Sequence, residues 1–209
     1  MAEEAEPETV IIIGPNHTGL GSQVSIYPEG EWLTPLGSVK VNKEITREII
    51  ELAEIVTPDE QAHLYEHSIE VQLPFLQYIL KEFKIVAISI LMQTHEVSQR
   101  LAEAIYEVIK RNNKIIVIAS SDMNHYEPHE VTIKRDDKAI KAIMELDSRK
   151  VYNLALNEVT MCGFAPIMTV IELAKKLDLK PELFSHATSG DTSGDKKSVV
   201  GYLAMGFHI

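Results

Sequence analysis

The chain reads as an α/β protein, with a mixed or parallel central sheet flanked by helices on both faces. Three observations predict this. The aliphatic runs Val10–Ile13, Ile85–Leu91 and Ile115–Ala119 have the composition of strands buried on both sides. Segments with apolar residues at helical spacing separate them, so strands and helices alternate along the chain. Two of the runs lead into polar clusters, Gly14-Pro15-Asn16-His17 and Ser120-Ser121-Asp122-Met123-Asn124-His125. In an open α/β sheet, ligands and catalysis gather beyond the carboxyl ends of parallel strands.

Each element has its own justification. Gly14-Pro15 ends the first strand. Residues 19–37 carry Gly, Pro, Tyr27 and Trp32 and predict a long loop or irregular hairpin. Asn42 caps an amphipathic helix to Val56, in which Ile45, Ile49, Leu52, Ala53 and Val56 recur at helical spacing. Residues 57–66 form a polar connection. Helical spacing returns over 68–83, but Pro74 makes that helix start late or kink. Thr94 caps a helix to about Arg111, with Leu101, Ile105, Val108 and Ile109 facing inward. Residues 131–146 and 148–157 predict two more helices, and 164–177 another, with Pro166 in its first turn. Leu183–Ala187 and Val199–Phe207 predict the last strands. The Gly/Ser/Asp stretch 188–197 between them predicts a mobile loop.

The 209 residues suffice for a single domain spanning 1–209, and 45% of them are hydrophobic. The lone cysteine, Cys162, permits no intrachain disulfide, which fits a reducing cytoplasm. No apolar run approaches the roughly 20 residues of a membrane span, and residues 1–9 lack a signal-peptide core. A cytoplasmic protein without membrane contact is expected. The formal charge of −11 repels phosphate backbones and there is no basic stripe, so nucleic acid is not an expected partner. Dinucleotide, P-loop, zincin and α/β-hydrolase motifs are all absent.

The chemistry concentrates in a few residues. His17 sits on a Gly/Pro/Asn turn after a strand, where one ring nitrogen can bind metal while a neighbour orients the other; the alternative is a histidine that bonds its own loop. Asp122 and His125 form a D-x-x-H unit suited to acid–base work or metal binding, with Ser120 and Ser121 as nearby hydroxyls. Asp122 could instead cap its own turn. Glu66, His67 and Glu70 open a helix, where acids suit the dipole without any further role. Cys162 precedes a helix, where a thiolate is stabilised as nucleophile or soft ligand; a small buried residue is the alternative. His63, His95, His129, His186 and His208 have no cluster that promotes them.

Together these stretches resemble the Memo family, in the form labelled AmmeMemoRadiSam system protein B. The matching motifs are I-I-I-G-P-N-H at 11–17, E-H-S-I-E-V-Q-L-P-F at 66–75, S-S-D-M-N-H at 120–125, C-G at 162–163 and G-Y-L-A-M at 201–205. The resemblance implies the fold of class III extradiol dioxygenases, which use non-haem Fe(II), with the site at the mouth of the sheet. It implies that His17 and Cys162 are metal ligands for iron or copper. It implies that Asp122 and His125 are catalytic residues of the same pocket, lined also by Glu66, His67 and Ser121. Family members carry a further N-terminal portion with a P-H-A-G-Y segment, whose histidine is another ligand. No P-H-A-G occurs here: either the sequence starts at an internal methionine or this is a short form, and loss of that segment would remove one strand and one ligand, weaken the site and leave apolar surface uncovered.

A cysteine among the ligands departs from the two-histidine, one-carboxylate set of ring-cleaving iron enzymes and argues against ordinary ring cleavage. The leading expectation is therefore a metal-dependent oxidoreductase of undefined substrate. The alternatives are a non-enzymatic module binding a peptide or small anionic ligand in the same pocket, and a metal-assisted hydrolase; a small-molecule or peptide ligand is the expected partner. A homo-oligomer is compatible with all three.

Overall fold

The computed structural model describes residues 6–209. In chain order the elements are β1 (Thr9–Pro15), β2 (Val24–Ile26), β3 (Glu31–Thr34), β4 (Gly37–Lys40), α1 (Lys43–Leu52), β5 (Thr57–Pro58), α2 (Leu73–Ile79), β6 (Lys84–Ile90), α3 (His95–Ile109), β7 (Ile115–Ala119), β8 (His125–Glu127), α4 (His129–Met144), α5 (Ser148–Asn157), α6 (Phe164–Lys176), β9 (Lys180–Thr188), α7 (Ser189–Ser193) and β10 (Val199–His208).

The central sheet runs β5-β2-β6-β1-β7. β1 lies parallel to both neighbours, pairing from Thr9↔Lys84 to Pro15↔Ile90 and from Thr9↔Ile115 to Ile13↔Ala119. The carboxyl ends of β6, β1 and β7 therefore open on the same side. β2 joins β6 antiparallel, which makes the sheet mixed. A second, antiparallel sheet runs β8-β10-β9, and β3-β4 is a separate hairpin.

Burial on both faces explains the aliphatic runs. Ile11 and Ile13 join Val86, Ile88 and Ile90 against α1, α3 and α6; Val10, Ile12, Ile85 and Ala87 face Ile69, Leu73 and Val39. Ile11, Ile12 and Ile13 are fully enclosed, each worth roughly 1.5–3 kcal/mol of transfer free energy. The expected fold class, with helices on both faces of a mostly parallel sheet, is the one observed.

Several local expectations are corrected. Residues 19–37 contain β2, a strand too short for its alternation to register in sequence; pairing with β6 creates it. The helix capped by Asn42, whose side chain accepts from the Ile45 amide, ends at Leu52 because Ala53 turns extended. Ala53 and Val56 are buried all the same, so they mimic helical periodicity. The connection 57–66 holds β5 and a 3-10 turn at Gln61–His63. The helix expected over 68–83 starts late: a 3-10 turn at Glu70–Gln72 precedes α2, with Pro74 in the first turn. Residues 188–197 include α7, fixed by a reciprocal capping box between Thr188 and Asp191 and ended by Gly194 at φ +79°.

Candidate functional site

The loops beyond β1, β6 and β7 build one mouth. Asn16 shapes the first: its Oδ1 accepts from the amides of Thr18 and Gly19, turning the chain so that His17 stands exposed. After β7, the Ser120 amide donates to the Ile13 carbonyl at 2.8 Å and continues the ladder into the loop. After β6, Gln93 donates to the Cys162 carbonyl at 2.7 Å and accepts from the Ala165 amide at 3.0 Å, tying the start of α6 to the same end of the sheet. Gln72 reaches Ser120 Oγ at 3.1 Å, linking the α2 side to the β7 loop.

Glu66 is the pivot of the β1 side. Where a helix start was expected around it, the chain is irregular before the 3-10 turn at Glu70–Gln72, and the residue is 3% exposed. Oε2 accepts from the His17 amide; Oε1 meets His17 Nδ1 at 2.9 Å and accepts from the Ser68 amide at 2.9 Å. Burial pushes this carboxyl up, but the His17 amide and ring and the Ser68 amide outweigh it and hold it below the ordinary glutamate value. His67 Nδ1 lies 3.5 Å from the same Oε1. The rings of His17 and His67 stack at 4.9 Å between centroids. Among the described residues, His17, Glu66 and His67 form the group of three whose potential ligand atoms all lie within 4.8 Å of one another.

Cys162 belongs to a neighbouring constellation on the β7 side. Its Sγ accepts from the Asp122 amide at 3.2 Å and lies 3.8 Å from Ser121 Oγ. Ser121 Oγ also accepts from the Gly163 amide at 2.8 Å, seating the N-cap of α6. A Cβ on Gly163 would stand 2.3 Å from the Ser120 carbonyl, so only glycine permits this approach. Burial pushes the Cys162 thiol up; the Asp122 amide and the Ser121 hydroxyl pull the other way without cancelling it. His125 Nε2 stands 3.7 Å from Asp122 Oδ2. Ser121, Asp122, His125 and Cys162 are thus brought together, as are His17, Glu66 and His67. The sulfur is not part of the compact His17 group.

The loop carrying Asp122 and His125 is held from behind by residues to which the sequence assigned no role, although Asn124 and Gly201 lie within the 120–125 and 201–205 motifs. Asn124 is fully buried and its amide donates to Asp136 Oδ1 at 2.9 Å. The Asn124 side chain donates to Thr132 and accepts from Thr160. Asp136 Oδ2 also meets His186 Nε2 at 2.9 Å. Burial lifts the Asp136 carboxyl above its ordinary value despite His186 and the Asn124 amide. Gly201 makes room: a Cβ there would sit 1.9 Å from Asp136 Oδ2. A charged residue on the inward stripe of α4, beside Ala139, Ile140 and Ile143, was the available signal.

Similarity to known proteins agrees with this architecture. The model of the Memo-like protein family matches residues 1–206. A MEMO1 family protein of Saccharolobus solfataricus is 56% identical over 99% of this chain and 74% of its own length. One of Sulfolobus acidocaldarius is 58% identical with the same coverage. An uncharacterized protein of Escherichia coli K12, known from its crystal structure, shares the fold with a TM-score of 0.61 at 14% identity, over 94% of this chain and 86% of that one.

Proposed function

The chain belongs to the Memo-like family, and from that premise we propose that it is a metal-binding protein whose centre lies at the mouth formed by β1, β6 and β7 and takes iron or copper. The observation that carries this reading is the Glu66–His17 pair. A buried carboxylate fixes one ring nitrogen at 2.9 Å, which leaves Nε2 as the outward lone pair in the manner of carboxylate-oriented metal ligands. His67 stands beside it, and Cys162 adds a soft donor on the adjoining loop. Imidazole, carboxylate and thiol together suit iron or copper better than calcium or magnesium.

The residues fit such an ion in kind: His17 and His67, beside Glu66, would hold it, and Cys162 stands on the adjoining loop outside that group. Bound iron or copper supplies one-electron redox chemistry. The protein's own part is separable. Glu66 keeps His17 in one tautomer. Burial keeps Cys162 as the thiol; as a metal ligand it would have to be the thiolate. Asp122, partly exposed, and His125, mostly enclosed, stand 3.7 Å apart at the pocket wall, a pair of the kind that serves acid–base chemistry. An oxidoreductase role follows from that combination, with a small-molecule substrate.

Anaerobic loading with Fe(II), and separately with Cu(I), followed by metal analysis tests the proposal. One equivalent of either metal is expected, falling at least tenfold in affinity in His17→Ala. Absence of both metals from the wild-type chain, or retention unchanged in His17→Ala, overturns it. Peptide or small-molecule binding that persists in excess chelator would favour a non-enzymatic module instead.

A further inference from the structure

Four consecutive amides of the loop after β7 each donate to a different part of the fold: Asp122 to Cys162 Sγ at 3.2 Å, Met123 to the Gly201 carbonyl at 2.9 Å, Asn124 to Asp136 Oδ1 at 2.9 Å, and His125 to Thr160 Oγ1 at 2.7 Å. Among these acceptors only Asp136 is an acid, and a carboxylate accepts roughly twice as strongly as a neutral group. The backbone leaves this clamp under strain. Tyr126 has φ +58°, an outlier for an aromatic residue. It is also the extra residue of a bulge, since Val199 and Val200, adjacent on β10, pair with Glu127 and His125. Strain of this kind persists only where the surroundings over-determine the chain, and bulges beside a site re-aim its side chains. The side chains aimed here are Asp122 and His125.

Packing alone asks for an apolar residue at position 136. The site is fully buried on the inward stripe of α4, beside Ala139, Ile140 and Ile143, where an aliphatic side chain avoids the desolvation of a carboxylate. The carboxylate is accommodated instead: His186 on β9 meets Oδ2 at 2.9 Å, and Gly201 leaves the space that this oxygen fills. We propose that Asp136 is a positioning residue for the Asp122–His125 pair. Through the Asn124 amide it fixes the backbone segment from which both side chains project, and His186 holds its second oxygen in place. The role rests on the reading of Asp122 and His125 as a pair for acid–base chemistry, but it lies in their geometry and needs no metal ion.

Carbethoxylation of the metal-free chain by diethyl pyrocarbonate at fixed pH, followed residue by residue by mass spectrometry, tests the proposal. His17 serves as the internal reference, because Glu66 holds it on the other side of the mouth. In Asp136→Ala, which removes the acceptor, the loop opens locally, so His125 should react at least about tenfold faster than in wild type while His17 stays within about twofold. Asp136→Asn keeps an oxygen for the Asn124 amide and should bring His125 back to within about threefold of wild type. The backbone carbon shifts of Tyr126 should leave the left-handed pattern in the first variant and regain it in the second. Should Asp136→Ala not fold, His186→Leu frees Oδ2 and should speed His125 several-fold. A folded Asp136→Ala or His186→Leu in which His125 reacts at the wild-type rate, or in which His125 and His17 accelerate together, overturns the proposal, since a residue that merely stabilises the fold changes both or neither. Iron or copper loading is measured separately, so its failure leaves this result standing.

Discussion

Two histidines show how much a single environment decides. His17 was legible in sequence because a strand, then Gly-Pro-Asn, presents it at a strand mouth. Its partner Glu66 was not readable from periodicity, since an acid at a helix start needs no explanation; only the family motif raised it. The structure gives Glu66 three donors in a buried site, and charge-assisted bonds contribute roughly 1.5–3 kcal/mol each at most. Glu66→Gln should therefore lower stability by about 2 kcal/mol in urea unfolding and weaken metal binding roughly 10–100-fold, because His17 loses its orienting carboxylate. His63 is the converse case. It is packed edge-on to Tyr27 and Trp32, with neither ring nitrogen hydrogen-bonded within the protein. Burial lowers it to about 4, against smaller opposing pulls from Asp59 and Glu66. The folded state thus binds fewer protons than the unfolded chain between pH 6.5 and about 4, so stability falls as pH drops through that window and levels off below it. The full swing is about 3 kcal/mol. His63→Phe should flatten that limb; an unchanged slope between pH 6.5 and 4 would refute the assignment. Glu66 acts in a lower range that meets the acid end of this one, since its stabilisation is complete above the ordinary glutamate value and lost as pH falls through the depressed one.

Elements were legible where one local signal sufficed. Asn42 and Thr94 cap the helices they were expected to cap, because a side-chain oxygen meets an amide three residues on. β2, β5 and the early end of α1 were not, because partners distant in sequence create them. The junction of the β7 loop with α6 belongs to this second kind. Cys162 and Gly163 read as a cysteine before a helix, but the fit of Gly163 under the Ser120 carbonyl is a tertiary fact. Gly163→Ala has to push that carbonyl or the N-cap aside. A loss of about 1–3 kcal/mol is expected from overpacking. The displaced loop should also loosen the Asp122 amide from the sulfur, so Ellman's reagent should react with Cys162 several-fold faster than in wild type at equal pH. A variant equally stable and equally slow would show that the junction is pliable and does not shape the thiol's surroundings.

For the molecule as a whole, the sequence carried the architecture because consecutive β-branched residues have few alternatives to a strand covered on both faces. It did not carry the division of the mouth into a His17 side and a Cys162 side, which depends on the order of β6, β1 and β7. Its charge of −11 is a property of the whole molecule too. A chain of this length has a radius of gyration of about 17 Å. At 10 mM salt the screening length of roughly 30 Å exceeds that radius, so the excess acids repel one another across the entire protein; above 0.1 M it falls below about 10 Å and that repulsion is local. Opposing it are exposed pairs such as Arg111–Glu48 and Lys150–Glu145, each at 2.7 Å. Salt weakens these as well, but exposed pairs contribute only about 0–1 kcal/mol apiece. The long-range repulsion is the larger quantity, so stability should rise with salt. Raising NaCl from 10 to 300 mM at pH 7 should lift Tm by a few degrees, at about 2–4 °C per kcal/mol for a chain of this size. Scanning calorimetry at the two salt concentrations decides the matter: a falling Tm would mean that the surface pairs, and not the excess of acids, set the electrostatic balance of the fold.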